Sequence, residues 1–263
     1  MAAASVRRGV FLMTKALVEK VLAGTPFEPL ALRLWWEIKA LRDSRSHNEL
    51  QEMKEIRRVI AKVVSSDSNC VDVGSNKGHI LRDILRYAPH GRHFAFEPIP
   101  DLAQYLRQRF PRVILFEIAL SDRSGEAHFC HVVTRPGRSG FRRQKYPRPN
   151  EIVREITVTT DTLDNIVPKK WPFRLIKVDV EGAELLVLRG GIQTLQRHRP
   201  YILFEHGKKF ADTYGCTSEM IHDLLVKECG YKLSAVKDWL TQNRPLSRGE
   251  FLAHGAGNFL AYP

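Results

Sequence analysis

Long apolar runs are missing from this sequence. No stretch approaches the roughly 20 consecutive apolar residues that a membrane-spanning helix needs. Cysteine is scarce: Cys70, Cys130, Cys216 and Cys229 stand far apart, with no C-x-x-C pair. That spacing argues against a zinc site or a disulfide framework and fits a reducing compartment such as the cytoplasm. There is no P-loop motif, no internal repeat and no G-x-G-x-x-G fingerprint. Acids are outnumbered, with 29 Asp and Glu against 41 Lys and Arg and a formal net charge of +12. A surface of that sign suits an anionic partner: nucleic acid, anionic lipid or a phosphorylated substrate. What is present is ordinary for a soluble protein, 43% hydrophobic and 27% charged over 263 residues. That is enough chain for one large domain or a domain with an extension.

The chemistry starts at Cys70-Val-Asp-Val-Gly-Ser-Asn-Lys-Gly78. Cys70, Val71 and Val73 read as a short buried strand, with Asp72 near its end. Gly74 and Gly78 bracket a tight turn, and Ile80, Leu81, Ile84 and Leu85 begin a helix. A strand–glycine turn–helix unit is expected to aim free backbone N–H groups and a helix dipole at an anionic ligand. The second glycine of the dinucleotide fingerprint, which admits a pyrophosphate, is replaced by Asn76. The ligand expected is therefore one without a pyrophosphate, such as S-adenosylmethionine (SAM), whose anion is a single carboxylate. About 20 residues on, His93–Phe96 reads as a second strand that ends in Glu97, placed to accept both ribose hydroxyls.

Strands and helices then alternate as a doubly wound sheet requires. Leu102, Tyr105, Leu106 and Phe110 mark a helix, and Val113–Ile118 a third strand. Ala119-Leu120-Ser121-Asp122 follows as a loop at the sheet edge where ligands bind, a candidate adenine contact. Residues 125–133 and 155–160 break the alternation as two strands. Between them runs the basic, glycine- and proline-rich segment 135–149. Arg135, Arg138, Arg142, Arg143, Lys145 and Arg148 in it could clamp a phosphate or carboxylate on a substrate; a solvated loop is the competing reading.

A second chemical centre is Leu175-Ile-Lys-Val-Asp-Val-Glu-Gly-Ala-Glu184, a core strand whose end carries Asp179 and Glu181. Carboxylates seldom sit on an apolar strand without a partner. Tyr201–Phe204 is a fifth strand with Glu205-His206-Gly207 at its end, Ser218–Cys229 a helix, and residues 231–236 and 257–262 the last strands. Before the domain, residues 1–24 mix Arg7, Arg8, Lys15 and Lys20 with apolar residues, a poor signal peptide. They read as a helix that packs on the domain or on a second subunit, with a basic amphipathic helix on a membrane surface and a transit peptide as the alternatives. Leu30–Leu41, with adjacent Trp35 and Trp36, resumes helical spacing and suggests a buried contact such as a dimer face. Asp43–His47 is a polar break, and a helix from Asn48 leads into the domain.

Taken together, Val71–Gly78, Ala95-Phe-Glu-Pro98, Ala119–Asp122, Asp161-Thr-Leu-Asp164, Ile176–Glu184, Arg199-Pro200 and Gly257-Asn-Phe-Leu260 resemble the FkbM-type SAM-dependent methyltransferases. The Lys-Val-Asp-Val-Glu-Gly-Ala-Glu block is the most specific part. Lys77 departs from the small apolar residue expected there. The resemblance implies an α/β fold, a Rossmann-like, mostly parallel seven-stranded class I methyltransferase sheet. Extra strands would be inserted after the third core strand, in a domain spanning residues 48–263 behind a helical extension, 1–47. It also implies O-methylation of a sugar or natural product. Candidate cofactor contacts are Asp72, Gly74, Ser75, Asn76, Gly78, Glu97, Pro98, Ala119, Leu120, Asp122 and Asp179. His206 is the first candidate for a base, Asp179 the second, and Glu181 a substrate or hydroxyl ligand. Arg138, Ser139, Arg142, Arg143 and Glu205 are candidates for substrate binding. No metal is expected, although Asp179, Glu181 and Glu205 offer the ligands for one. An RNA methyltransferase and a non-catalytic scaffold are the competing functions; no RNA-binding motif is present.

Overall fold

The computed structural model describes residues 21, 22, 25, 27–41, 43–144 and 150–263. The expected amphipathic helix at the start of the chain, and Lys145 and Arg148 of the basic segment, lie outside the described residues. The chain forms two units, residues 1–54 and 55–263. The first contains helix α1 (Glu28–Ala40) and the start of α2 (Ser44–Val63). On α1, Trp35 and Trp36 meet edge to face at 5.3 Å, with the Lys39 ammonium 5.3 and 4.9 Å from their rings. Helix α2 begins four residues before the expected Asn48. The reason is Asp43, whose carboxylate accepts hydrogen bonds from the Ser46 N–H (3.1 Å) and hydroxyl (2.6 Å). The polar run read as a break is thus a capped first turn.

The second unit is built on a seven-stranded sheet, β1 (Asn69–Val73), β2 (His93–Phe96), β3 (Ile114–Phe116), β7 (Phe173–Val178), β8 (Tyr201–Gly207), β9 (Lys232–Ala235) and β10 (Ala256–Tyr262), in the order β3-β2-β1-β7-β8-β10-β9. The pairs from β3 to β8 are parallel, and β10 runs antiparallel to both β8 and β9. The strand order reverses between β1 and β7, the crevice where doubly wound sheets bind ligands. Val71, Val73, Phe94, Phe96, Ile176, Val178, Ile202 and Phe204 fill one face of the sheet. Cys70, Leu175, Leu203 and Leu260 fill the other, under Val59, Ile60 and Val63 of α2. The four cysteines are buried and unpaired.

A second sheet, β4-β6-β5, is inserted between β3 and β7: β4 (Ala119–Leu120), β5 (Gly125–Val132) and β6 (Val153–Asp161). Two expectations change here. Ala119–Leu120 is not a loop but a short strand in parallel register with Thr160 and Asp161. Strand β8 does not stop at Phe204; pairing of Glu205, His206 and Gly207 with Asn258, Gly257 and Ala256 of β10 carries it on. Among the described residues, no helix is long and apolar enough to cross a membrane.

Candidate active site

The turn after β1 is spent on the protein itself rather than on an anion. The N–H groups of Gly74 and Ser75 both donate to the Phe96 carbonyl, at 3.0 and 3.1 Å, and that of Gly78 to Ser75 at 2.7 Å. The Asn76 N–H donates to Glu97 Oε2 at 2.8 Å, and the Ile99 N–H to Oε1 at 3.0 Å. Gly78 is needed for packing, since a β-carbon there would stand 2.2 Å from the Phe110 ring. Ser75 donates its hydroxyl to the Asp72 carbonyl, 3.0 Å away. The expected ring of free N–H donors is therefore replaced by a braced turn that holds Glu97. Burial pushes the Glu97 carboxyl up to about 7, with its two backbone N–H partners opposing the shift.

Beside this turn opens a cleft with about 690 Å³ of empty space, part of it open to solvent. That is room for a nucleoside-sized ligand. Its walls come from the C-terminal ends of four parallel strands: Gly74 and Asn76 after β1, Glu97, Pro98 and Ile99 after β2, Ile118–Leu120 after β3, and Asp179, Val180 and Glu181 after β7. The insertion supplies the remaining side through Phe129, Pro136, Gly137, Ser139, Gly140 and Phe141. Asn76 (φ 48°) and Glu181 (φ 55°) are non-glycine residues in the left-handed region. Both face the cleft, the place where stored backbone strain accompanies function. Of the expected cofactor contacts, Asp72, Ser75, Gly78 and Asp122 stay outside the lining. The Asp122 carboxylate pairs instead with Arg123 at 3.1 Å.

The acidic side of the cleft is crowded. Burial first, and Asp179 second, push Glu181 up to about 8. Glu205, exposed on β8, is raised in the same direction by desolvation of its carboxyl first and Asp179 second. Glu184, which accepts N–H bonds from Val180 and Gly182 at 3.1 Å each, is raised to about 7, again chiefly by burial. Arg138 approaches Glu181 at 3.4 Å and lies 5.2 Å over the Phe210 ring. Gln144 donates to the Glu181 carbonyl at 2.6 Å. Among the described residues, no three His, Cys, Asp or Glu groups are placed to hold a metal ion.

Asp179 and Glu181 meet at the cleft as expected, but His206 does not join them. Neighbours along β8 alternate faces, so His206 turns away from Glu205 into the core. There its Nε2 lies 2.8 Å from the Ser218 hydroxyl and its ring stacks 5.8 Å from Phe251. The arginine clamp also shrinks. Arg138 reaches the Glu181 carboxylate, whereas the side chains of Arg142 and Arg143 are exposed. Ser139 accepts the Val132 N–H at 3.0 Å and fastens the loop. Lys177 was not singled out from the sequence, although a charge inside Leu175-Ile-Lys-Val178 was the available signal. It is buried with its ammonium 3.2 Å from Asp179.

The residues fit a SAM-type ligand. Glu97 keeps carboxylate lone pairs for ribose hydroxyls beside its two N–H partners. Apolar walls suit an adenine, and the acids at the β7 end suit a sulfonium cation. A family model described as the methyltransferase FkbM domain matches residues 72–233. Over 163 residues the chain is 33% identical to the 2-O-methyltransferase NoeI of Sinorhizobium fredii (strain NBRC 101917 / NGR234), covering 56% of this chain and 67% of that protein. Among solved structures it is similar to a methyltransferase FkbM from Methylobacillus flagellatus KT, with a TM-score of 0.48 and 15% identity. That match covers 76% of this chain and 44% of the other, so the chain spans less than half of that protein. A methyltransferase of Streptococcus mutans in complex with SAH is similar with a TM-score of 0.44 and 10% identity, over 81% of this chain and 98% of that one.

Proposed function

The chain belongs to the FkbM methyltransferase family, SAM-dependent enzymes, and from that premise we propose that it methylates a hydroxyl of a sugar or natural product. The observation that carries the proposal is the shared cleft wall of Glu97, Asp179 and Glu181, an acid on the nucleoside side facing acids on the acceptor side. Its relative NoeI, a 2-O-methyltransferase, supports a hydroxyl acceptor.

When bound, SAM supplies a methyl group already activated on a sulfonium. Everything else falls to this chain. Glu97 would hold the ribose through lone pairs left free by Asn76 and Ile99, and Ala119 and Leu120 would border the adenine. Holding the acceptor in line is worth ~7–11 kcal/mol of barrier. A sugar hydroxyl is a weak nucleophile, so its proton must leave as the new C–O bond forms, a service worth roughly 10²–10⁴-fold. Asp179 is the base in this reading, because it lines the cleft and His206 is enclosed in the core. The proton passes from the acceptor oxygen to Asp179 and then to solvent. Glu181 and Glu205 are both raised above the ordinary carboxylate range, so each holds a proton more readily than a free carboxyl does. Each can donate as well as accept, which matches the mixed demands of neighbouring hydroxyls.

The test is calorimetric titration of S-adenosylhomocysteine (SAH) into wild type and Glu97→Ala, followed by transfer of a radiolabelled methyl group to a panel of saccharides and to RNA. Binding that weakens in the variant, and label on saccharides, supports the proposal. A folded wild type that binds no SAH overturns it, and label found only on RNA overturns the acceptor.

A further inference from the structure

Lys177 is the least expected side chain of the sheet. It stands on a strand whose neighbours Leu175, Ile176 and Val178 are core, and it is itself 6% exposed. A buried ammonium needs partners, and it has three. Its Nζ lies 3.2 Å from Asp179 Oδ2 and 3.7 Å from Asp72 Oδ1, and it donates to the Gly74 carbonyl at 3.4 Å. Register explains the convergence. Lys177 pairs with Asp72 across β1 and with Leu203 across β8, one step below the sheet edge, so its long side chain rises between the cofactor turn and the end of β7.

The arrangement is poor as a stabilising device. One cation serves two carboxylates, and neither oxygen of the fully buried Asp72 accepts a hydrogen bond. Apolar residues of similar volume generally stabilise such a site at least as well. What the cation does accomplish is a joint between two catalytic parts. The Gly74 carbonyl belongs to the turn and Asp179 to the acid wall, and the Asp179 N–H donates to the Val73 carbonyl at 3.1 Å.

We propose that Lys177 is a positioning residue, which holds the Asp179 carboxylate against the cofactor turn so that base and methyl donor keep one spacing. The inference rests on the methyltransferase reading for its purpose, but not for its test. The charged groups facing Lys177 are Asp72 from β1, Asp179 from the end of β7 and Glu205 from β8, and Glu97 feels it from beyond β2. Desolvation pulls the ammonium down, but the surrounding acids outweigh it and raise it. Lys177 therefore stays charged wherever Asp179 would act.

The experiment uses Lys177→Met and, because two unpaired acids could prevent folding, the double variant Lys177→Met/Asp72→Asn, with Asp72→Asn as its control. Folding is checked by circular dichroism. Protein carrying ¹³C-labelled aspartate is followed by carboxyl NMR at one fixed pH, with the Asp179 signal assigned by its loss in Asp179→Asn. The expected result is a single sharp Asp179 signal in Asp72→Asn that broadens or splits in the double variant, and sharpens again when Lys177→Arg takes the place of Lys177→Met. SAH affinity should stay within about fivefold, because its ribose is held by Glu97. An Asp179 signal as sharp in the double variant as in Asp72→Asn overturns the inference, as does failure of Lys177→Arg to restore it. If folded wild type fails to bind SAH, the methyltransferase reading falls, and the Asp179 signal still decides whether Lys177 holds Asp179 in place.

Discussion

The backbone carbonyl oxygen of Asp179 lies 2.0 Å from where a β-carbon on Gly74 would stand. The cofactor turn and the acid wall therefore approach through backbone alone, and Gly74 also has φ +76°. Gly74→Ala meets a clash with backbone, which cannot swing aside, and a left-handed conformation that costs roughly 1–2 kcal/mol. The expected outcome is a turn pushed off the end of β7, with SAH affinity reduced about 100-fold or more in calorimetry. An alanine variant that binds SAH as wild type does would mean that the close approach is not part of the site.

Glu97 makes stability and binding respond to pH in opposite senses. Its folded value, about 7, lies above the unfolded value of roughly 4.3. Between the two, the folded protein keeps a proton that the unfolded chain has released. Stability is thus greatest below the unfolded value and declines as pH rises toward 7, by roughly 3 kcal/mol for this group. Urea unfolding at pH 5 and pH 8 should give a lower midpoint at pH 8, and Glu97→Gln should flatten the difference. SAH affinity should rise over the same interval, because ribose hydroxyls donate to the ionised form. Equal slopes in wild type and Glu97→Gln would remove Glu97 from both roles.

These two residues also mark how far the sequence carries. The turn, the spaced acid and the Asp179–Glu181 pair are set by local chemistry: apolar strands, glycine and the 20-residue interval to the next strand. They were legible for that reason. The end of β8 was not, because β10, about 50 residues later, decides it. That extension puts His206 in the core. Asp72, Ser75 and Gly78 share the turn with Gly74, yet their roles depend on Lys177, the Asp72 carbonyl and the Phe110 ring, which no spacing rule supplies. Lys177 was visible as a charge in an apolar run, but its partners are set by the β1–β7 register.

Arg138 should act as a latch on the insertion. It meets Glu181 with about a quarter of its own side chain exposed, so the pair's worth to global stability is expected to be only about 1 kcal/mol or less. Its local effect is larger, because Gly137, Ser139 and Gly140 line the cleft on either side of it. In Arg138→Ala, hydrogen exchange of residues 136–141 should quicken, with a melting temperature close to wild type and SAH affinity down roughly three- to tenfold. Unchanged exchange there would show that Gln144 and the Ser139–Val132 bond hold the loop without the arginine.

The choice of base can be settled by separating stability from turnover. Burial, aided by Lys208, lowers His206 below its ordinary value. The unfolded chain therefore binds a proton that the folded one refuses, and the contribution of His206 is lost as pH falls below roughly 6.5. His206→Ala removes a ring packed on Phe251 and leaves the Ser218 hydroxyl buried without that partner. A loss of about 2–4 kcal/mol in urea unfolding is expected. Methyl transfer by the folded fraction should remain within about tenfold of wild type. Asp179→Asn should do the reverse, melting close to wild type while transfer falls by roughly 10²–10⁴. If instead His206→Gln keeps its stability and loses transfer, the ring must reach the cleft in the working enzyme, and Asp179 would be left as a cofactor ligand rather than the base.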